Sequence, residues 1–278
     1  MEQLVKAMHN NISGLTNINV ELTNRCNKNC WMCGRRKIDK EYPEIALKYG
    51  DMDFKLVKKI SEQIPIGIVV QLHNNGEPLL YPYFGKALSL FKNNITNIVT
   101  NGKLLLQKAD EIIDKLDTLS ISVFEGDEES EEQYQIIEEF LKIKGSKKPF
   151  TSLRLIGEVD DKNYKKFNVL IIKRVLHSPL GSFNYKRLNP TIPEIGICLD
   201  FLNHLAIDRT GDISICVRLD PKKLGVIGNI NNKTLSEIWN SEKRLEWKKY
   251  HISGQRNKVP LCSFCHYWGV PTGLDLAN

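Results

Sequence analysis

Short apolar runs and amphipathic stretches alternate along the first two thirds of this chain of 278 residues. "NINVELT" (17–23) reads as a short buried strand, and "FKLVKKISEQI" (54–64) carries apolar residues at helical spacing. Strand-like runs follow at 66–73, 95–100, 118–124, 150–157 and 181–188, with helical patterns between them at 83–93, 103–116, 130–143 and 161–176. Such alternation predicts parallel strands with right-handed helical crossovers, hence a wound sheet or a complete or partial barrel. In either architecture the working face lies at the C-terminal ends of the strands. The polar segments fall there: "CNKNCWMC" (26–33) after the first strand, "HNNGEP" (73–78) after the second, "TNG" (100–102) after the third, and Ser122 near the end of the fourth.

Beyond about residue 190 the pattern changes. "HLAIDRTGDISICV" (204–217) reads as a hairpin turning at "RTGD", and "TLSEIWNSEKRLEWKKY" (234–250) as a helix opened by a Thr234 to Glu237 capping box. A second capping box, Ser130 to Gln133, is expected to follow the acidic run "EGDEESEE" (125–132), itself read as a loop and helix start. Residues 34–52 read as a long insertion before the first helix, bordering the site. The expected organisation is a barrel-type unit over 1–190 and a small hairpin-plus-helix unit over 191–278.

Composition narrows the function classes. The balance of 41% apolar and 26% charged residues is that of a soluble globular protein, and no apolar run nears the ~18 residues needed to span a bilayer. No secretory signal opens the chain, so a cytoplasmic setting is expected. The net charge of +6 is spread along the sequence; the basic stretch 222–258 reads as a solvated helix face, with nucleic acid an unlikely partner.

The seven cysteines divide as three plus four: Cys26, Cys30 and Cys33, then Cys198, Cys216, Cys262 and Cys265. An odd number without an export signal argues against a disulfide framework. Zinc suits four cysteines with C-x2-C spacing. The trio fits zinc less well, since the fourth ligand would have to be His73 from another strand. An iron-sulfur cluster held by three cysteines instead leaves one iron open to a ligand.

"CNKNCWMC" after the first strand together with "NNGEPLL" (74–80) after the second resembles the radical S-adenosylmethionine (SAM) superfamily. The resemblance implies a partial (β/α)6 barrel. Cys26, Cys30 and Cys33 would bind a [4Fe-4S] cluster whose open iron is chelated by SAM, and reductive cleavage would yield a 5′-deoxyadenosyl radical that abstracts a substrate hydrogen. Gly76, Glu77 and Pro78 would form the turn around the SAM amino group, Asn101 and Gly102 the turn at its ribose, and Ser122 and Arg154 the pair holding its polar groups. Met32 occupies the position, often aromatic, that packs near adenine.

The C-terminal cysteines resemble the short "twitch" form of the SPASM appendage. This implies a second [4Fe-4S] cluster, closed by Cys198, Cys216, Cys262 and Cys265 and suited to passing electrons. An external reductant such as flavodoxin or ferredoxin is implied as well. Three plus four leaves no thiol over to return a hydrogen atom, as radical epimerases commonly require, so net oxidation is expected. In size and cysteine layout the chain is most similar to dehydrogenases of aminocyclitols and carbohydrates. Arg187, Tyr185 and His73 are the candidate bases for the hydroxyl proton. A maturase acting on a ribosomal peptide and a non-catalytic zinc module are the competing readings.

Overall fold

The computed structural model describes residues 12–174 and 198–265. Its sheet is built on the expected alternation: β1 (Asn17–Val20), α1 (Gly34–Glu41), α2 (Phe54–Ser61), β2 (Val69–Gln71), α3 (Phe84–Leu90), β3 (Ile95–Thr100), α4 (Ala109–Ile112), β4 (Thr118–Phe124), α5 (Ser130–Lys144), β5 (Phe150–Ile156), α6 (Lys162–Lys165) and β6 (Leu170–Arg174). After residue 197 come α7 (Leu199–Asn203), β7 (His204–Ile207), β8 (Asp212–Ser214), β9 (Val226–Asn229), α8 (Leu235–Trp239) and α9 (Glu242–Ile252). The strand order is β6-β5-β4-β3-β2-β1-β7-β8-β9. β1 to β6 are parallel and form the partial (β/α)6 barrel.

Strand registers divide the barrel residues between two faces. Ile18, Val70, Ile98, Leu119, Ile121, Val123, Leu153 and Leu155 point outward and are buried. The residues alternating with them form an inner row that is largely polar: Asn17 and Asn19, Gln71, Asn97, Ser120 and Ser122, Ser152 and Arg154, then Arg174. A parallel sheet covered on both faces would read as continuous apolar runs. The polar inner row instead lines a cavity.

The C-terminal segment is stitched to this sheet. β7 pairs parallel with β1, from Asn17 opposite His204 to Val20 opposite Ile207, and the expected hairpin leads antiparallel into β8. The expected boundary near residue 190 lies outside the described residues.

Several expectations need correction. The helical pattern over 161–176 resolves into α6 and the edge strand β6. Asn168, in the left-handed conformation at φ +51°, separates them. "VLIIK" satisfies helical and strand periods alike, and pairing with β5 decides between them. The strand expected at 181–188 lies outside the described residues. Within 103–116 only α4 is helical. The 234–250 helix is two helices: the Thr234 to Glu237 capping box opens α8, and Ser241 caps α9 by accepting from the Arg244 N–H. Residues 34–52 are not an insertion ahead of the first helix, because α1 begins directly after Cys33. The Ser130 to Gln133 box does not form: Glu129 is the N-cap without a side-chain bond, and Gln133 turns into the protein.

Candidate active site

The cysteine loop 26–33 follows β1 and is held from several directions. Arg35, at the start of α1, is buried and donates to the Asn24 carbonyl, and Arg36 donates to the carbonyls of Cys26 and Lys28 at 3.3 and 3.4 Å. Trp31 Nε1 donates to the Glu125 carbonyl at 3.0 Å, and Lys28 is paired with Asp127 in the loop after β4. The acidic run thus anchors the cysteine loop, a role the sequence reading did not give it.

The three thiols are half-buried and free. Burial, with opposition from the neighbouring thiols Cys33 and Cys26, pushes the Cys30 thiol up to about 12. Such a set becomes thiolate only around a strong cation, and an iron-sulfur core supplies one. Asn101 Nδ2 stands 3.8 Å from Cys26 Sγ and donates to Asn27 Oδ1 at 2.9 Å. Among the described residues no three His, Cys, Asp or Glu side chains converge as a single metal ion requires. The donor set fits a multi-iron core better than mononuclear zinc.

Gly76 adopts φ +107°, and a Cβ there would lie 2.7 Å from the Arg25 carbonyl oxygen. Only glycine allows this close approach between the second loop and the cysteine loop. The Glu77 N–H donates to the same carbonyl at 2.8 Å. Its carboxylate accepts from Thr100 Oγ1 at 2.7 Å, from the Asn101 N–H at 2.8 Å and from the Leu79 N–H at 3.1 Å. Glu77 therefore ties the second loop to the end of β3. Pro78 is buried as the first residue of a 3-10 turn.

Gln133 completes the frame by donating to the carbonyls of Asn101 at 2.6 Å and Ser122 at 2.9 Å. Its signal in the sequence is a polar residue in the buried stripe of α5 with Ile137 and Phe140. Gly102, at φ +85°, lies against Ile121.

These loops enclose a cavity of about 410 Å³ lined by the cysteine trio, Gly76, Glu77, Asn101, Ser122 and the apolar Phe124 and Ile156. A second cavity of about 620 Å³ runs from Met32 and Cys33 to Asp200, Val217 and Arg218. Met32, Cys33, His73, Gly76, Arg154 and Arg174 line both, so the two volumes share a wall.

His73 stands in that wall, with Nδ1 accepting the Val99 N–H at 3.2 Å. The neutral ring then keeps its proton on Nε2 and presents a donor. Burial, helped by the Arg154 charge, depresses it to about 3. Its nearest carboxylate-backed counterpart is His204. Asn19 donates to the His73 carbonyl at 2.8 Å and receives His204 Nε2 at 2.6 Å, leaving His204 Nδ1 facing Asp200 Oδ1 at 3.7 Å. The neighbouring His204 ring holds the Asp200 carboxyl below the usual carboxylate range. Sequence reading missed Asp200, which lines the cavity because β7 docks beside β1. Tyr185 and Arg187 lie outside the described residues.

Asp200 and Val217, at the far end of the second cavity, are sequence neighbours of Cys198 and Cys216. Burial, then repulsion from Cys216, Cys198 and Cys265, raises the Cys262 thiol, so the four share one locality. Arg256 Nη1 donates to the Cys265 carbonyl at 3.0 Å, closing the loop around them. Four thiols in one locality suit an iron-sulfur cluster without an open iron.

Comparison with known proteins agrees. The radical SAM superfamily model matches residues 20–176, and an iron-sulfur cluster-binding domain, SPASM, matches 198–266. The S-adenosyl-L-methionine-dependent 2-deoxy-scyllo-inosamine dehydrogenase of Niallia circulans is 26% identical over 272 residues, spanning 92% of this chain and 94% of that protein. The fold is similar to BtrN in complex with AdoMet and 2-DOIA (TM-score 0.59, 20% identity, 89% and 91% of the two chains). It is also similar to Streptococcus suis SuiB bound to the precursor peptide SuiA (TM-score 0.59, 13% identity, 95% and 74% coverage). No helix among the described residues is long and apolar enough to cross a membrane. The three-cysteine loop, the glycine-dependent turn beside it and a family match over more than half of the sequence make this chain a member of the radical SAM superfamily.

Proposed function

We propose that this enzyme oxidises a secondary alcohol of a small polyol, an aminocyclitol or carbohydrate, to a ketone. One observation carries the reading. The 620 Å³ cavity reaches Met32 and Cys33 at one end, and at the other Asp200 and Val217, which flank Cys198 and Cys216. A molecule seated there lies between the two cysteine groups. Its lining of Asn17, Asn19, Gln71, Asn74 and Asn75 offers the amide donors and acceptors that hydroxyl groups need.

Cys26, Cys30 and Cys33 would hold one [4Fe-4S] cluster and Cys198, Cys216, Cys262 and Cys265 a second. When bound, the first cluster and SAM supply the acceptor for a carbon-bound hydrogen atom, and the second cluster supplies an electron acceptor. The chain's own residues complete the balance. Met32 and the Asn101 turn position the cofactor, His73 Nε2–H donates to a substrate oxygen, and the ionised Asp200 takes the hydroxyl proton. That proton is far more acidic once the carbon has lost its hydrogen atom, so a carboxylate suffices as base. One hydrogen atom, one proton and one electron leave, and the carbinol becomes a carbonyl.

The grouping of all seven cysteines supports oxidation over epimerisation, since no thiol stands apart as a hydrogen donor. Cysteines grouped as cluster ligands, in place of a disulfide framework, support a reducing, cytoplasmic setting in which flavodoxin or ferredoxin delivers the initiating electron. The test is anaerobic reconstitution with a polyol panel: ketone formed in step with 5′-deoxyadenosine supports the reading. An epimer as product, or turnover with peptides alone, contradicts it.

A further inference from the structure

The cavity assigned to substrate is lopsided in charge. Among the described residues Arg35, Arg154, Arg174 and Arg218 line it, and Asp200 is the one carboxylate. Asp200 faces His204 Nδ1 at 3.7 Å. Arg154 and Arg174 are different. Arg154 lies opposite Ile172 and Arg174 opposite Ile156, so the two guanidinium groups leave adjacent strands on one face, a single pleat apart. Each has a buried Nε without a hydrogen-bond partner, and among the described residues neither forms an ion pair. Each is depressed by burial and then by a neighbouring arginine, Arg174 acting on Arg154 and Arg218 on Arg174.

Two like charges set side by side, partly buried and without an ion pair among the described residues, favour an anion when the site is filled. The cofactor side answers one of them. Arg154 pairs in register with Ser122, beside which SAM would sit, and SAM brings one carboxylate. Arg174 is one strand farther out, on β6, and remains unanswered.

We propose that the substrate carries an oxyanion, a phosphate ester or a carboxylate, that docks on Arg174 with Arg154 beside it. The polyol is then a phosphorylated or acidic sugar or cyclitol, not a cationic aminocyclitol. This rests on the small-polyol reading above and narrows it. Guanidinium forks match the geometry of both oxyanions, and Asp200 remains free of any ammonium and available for the hydroxyl proton. Identity of 26% to the dehydrogenase of Niallia circulans is compatible with shared chemistry on a differently charged substrate.

The experiment is calorimetric titration of the reconstituted, SAM-loaded enzyme without reductant. The probes are myo-inositol, myo-inositol 1-phosphate, 2-deoxy-scyllo-inosamine, glucose and glucuronate. An anionic probe should bind about tenfold to hundredfold more tightly than its neutral parent, and whichever pair shows the gap separates phosphate from carboxylate. Arg174→Gln should erase the gap and Arg174→Lys keep part of it, with cluster absorbance as the folding control. Should Arg174→Gln fail to load clusters, salt decides on the unaltered enzyme, where added chloride should weaken the anionic probe selectively. Tighter binding of the amine, equal binding of charged and neutral probes, or a gap untouched by Arg174→Gln or by salt overturns the proposal. Loss of the oxidation reading looks different: the anion preference persists, SAM is cleaved, and no ketone forms.

Discussion

The Lys28 ammonium pairs with the Asp127 carboxylate in a place where water scarcely reaches, the two side chains being 3% and 7% exposed. Lys28 lies inside the three-cysteine loop and Asp127 in the loop after β4, so this ion pair fixes how the cysteines sit over the sheet. Removing one partner of a buried pair leaves an uncompensated charge, at about 3–5 kcal/mol. Lys28→Met should lower the unfolding midpoint and the iron bound at the first site, and adding Asp127→Asn should restore part of the loss. Chemical denaturation with iron analysis checks this; additive losses would show that the two residues act separately.

Gly76→Ala sets a Cβ against the backbone of Asn24 and Arg25 at a positive φ. The turn must open, and SAM binding should fall by at least about tenfold, while iron at the C-terminal cysteines is retained. Equilibrium binding of SAM to the reconstituted variant is the measurement.

Gln133→Met keeps the bulk of the side chain and removes the donor shared by the Asn101 and Ser122 carbonyls. Leaving buried acceptors unpaired costs roughly 1–3 kcal/mol. A raised KM for SAM with intact cluster absorbance is expected, because both carbonyls lie on the cofactor wall.

His251 is buried on α9 and stacks on Phe201 with ring centroids 4.2 Å apart. Burial, and secondarily Arg256, lowers it to about 4 from the usual 6.5 of a histidine. The unfolded chain then binds more protons in the acid range, so this contribution is complete above pH 6.5 and is lost as pH falls toward 4. The unfolding temperature of the native protein should drop more steeply over that interval than that of His251→Leu. Parallel profiles would remove His251 from the account.

The parts of this molecule that were legible in the sequence are those whose meaning is local. Cysteine spacing and the Thr234 to Glu237 box each depend on neighbours a few residues away, and the Gly76 turn shows as a glycine within a short motif although the backbone it approaches is that of Asn24 and Arg25. What stayed hidden depends on partners brought together by the sheet. Gln133 reads as a cap until Asn101 and Ser122 are seen within its reach, 32 and 11 residues away. Asp200 has no motif, and it joins the site because β7 docks beside β1. β6 was read as helix because an edge strand of five residues carries too few alternations to outweigh the helical period before it.

Cys262 supplies the sharpest test of electron flow. Replacing it by serine should reduce reconstituted iron from about eight to about four per chain. SAM cleavage should continue while ketone formation stops. Unchanged ketone formation in that variant would remove the C-terminal cluster as acceptor.

The central claim is that a carbon-bound hydrogen leaves a substrate lying between the two cysteine groups, and isotope transfer measures it directly. With a polyol deuterated at the reacting carbinol, the account predicts one deuterium in 5′-deoxyadenosine for each ketone formed. Ketone produced with no deuterium in 5′-deoxyadenosine, or deuterium transfer ending in an epimer, would contradict it.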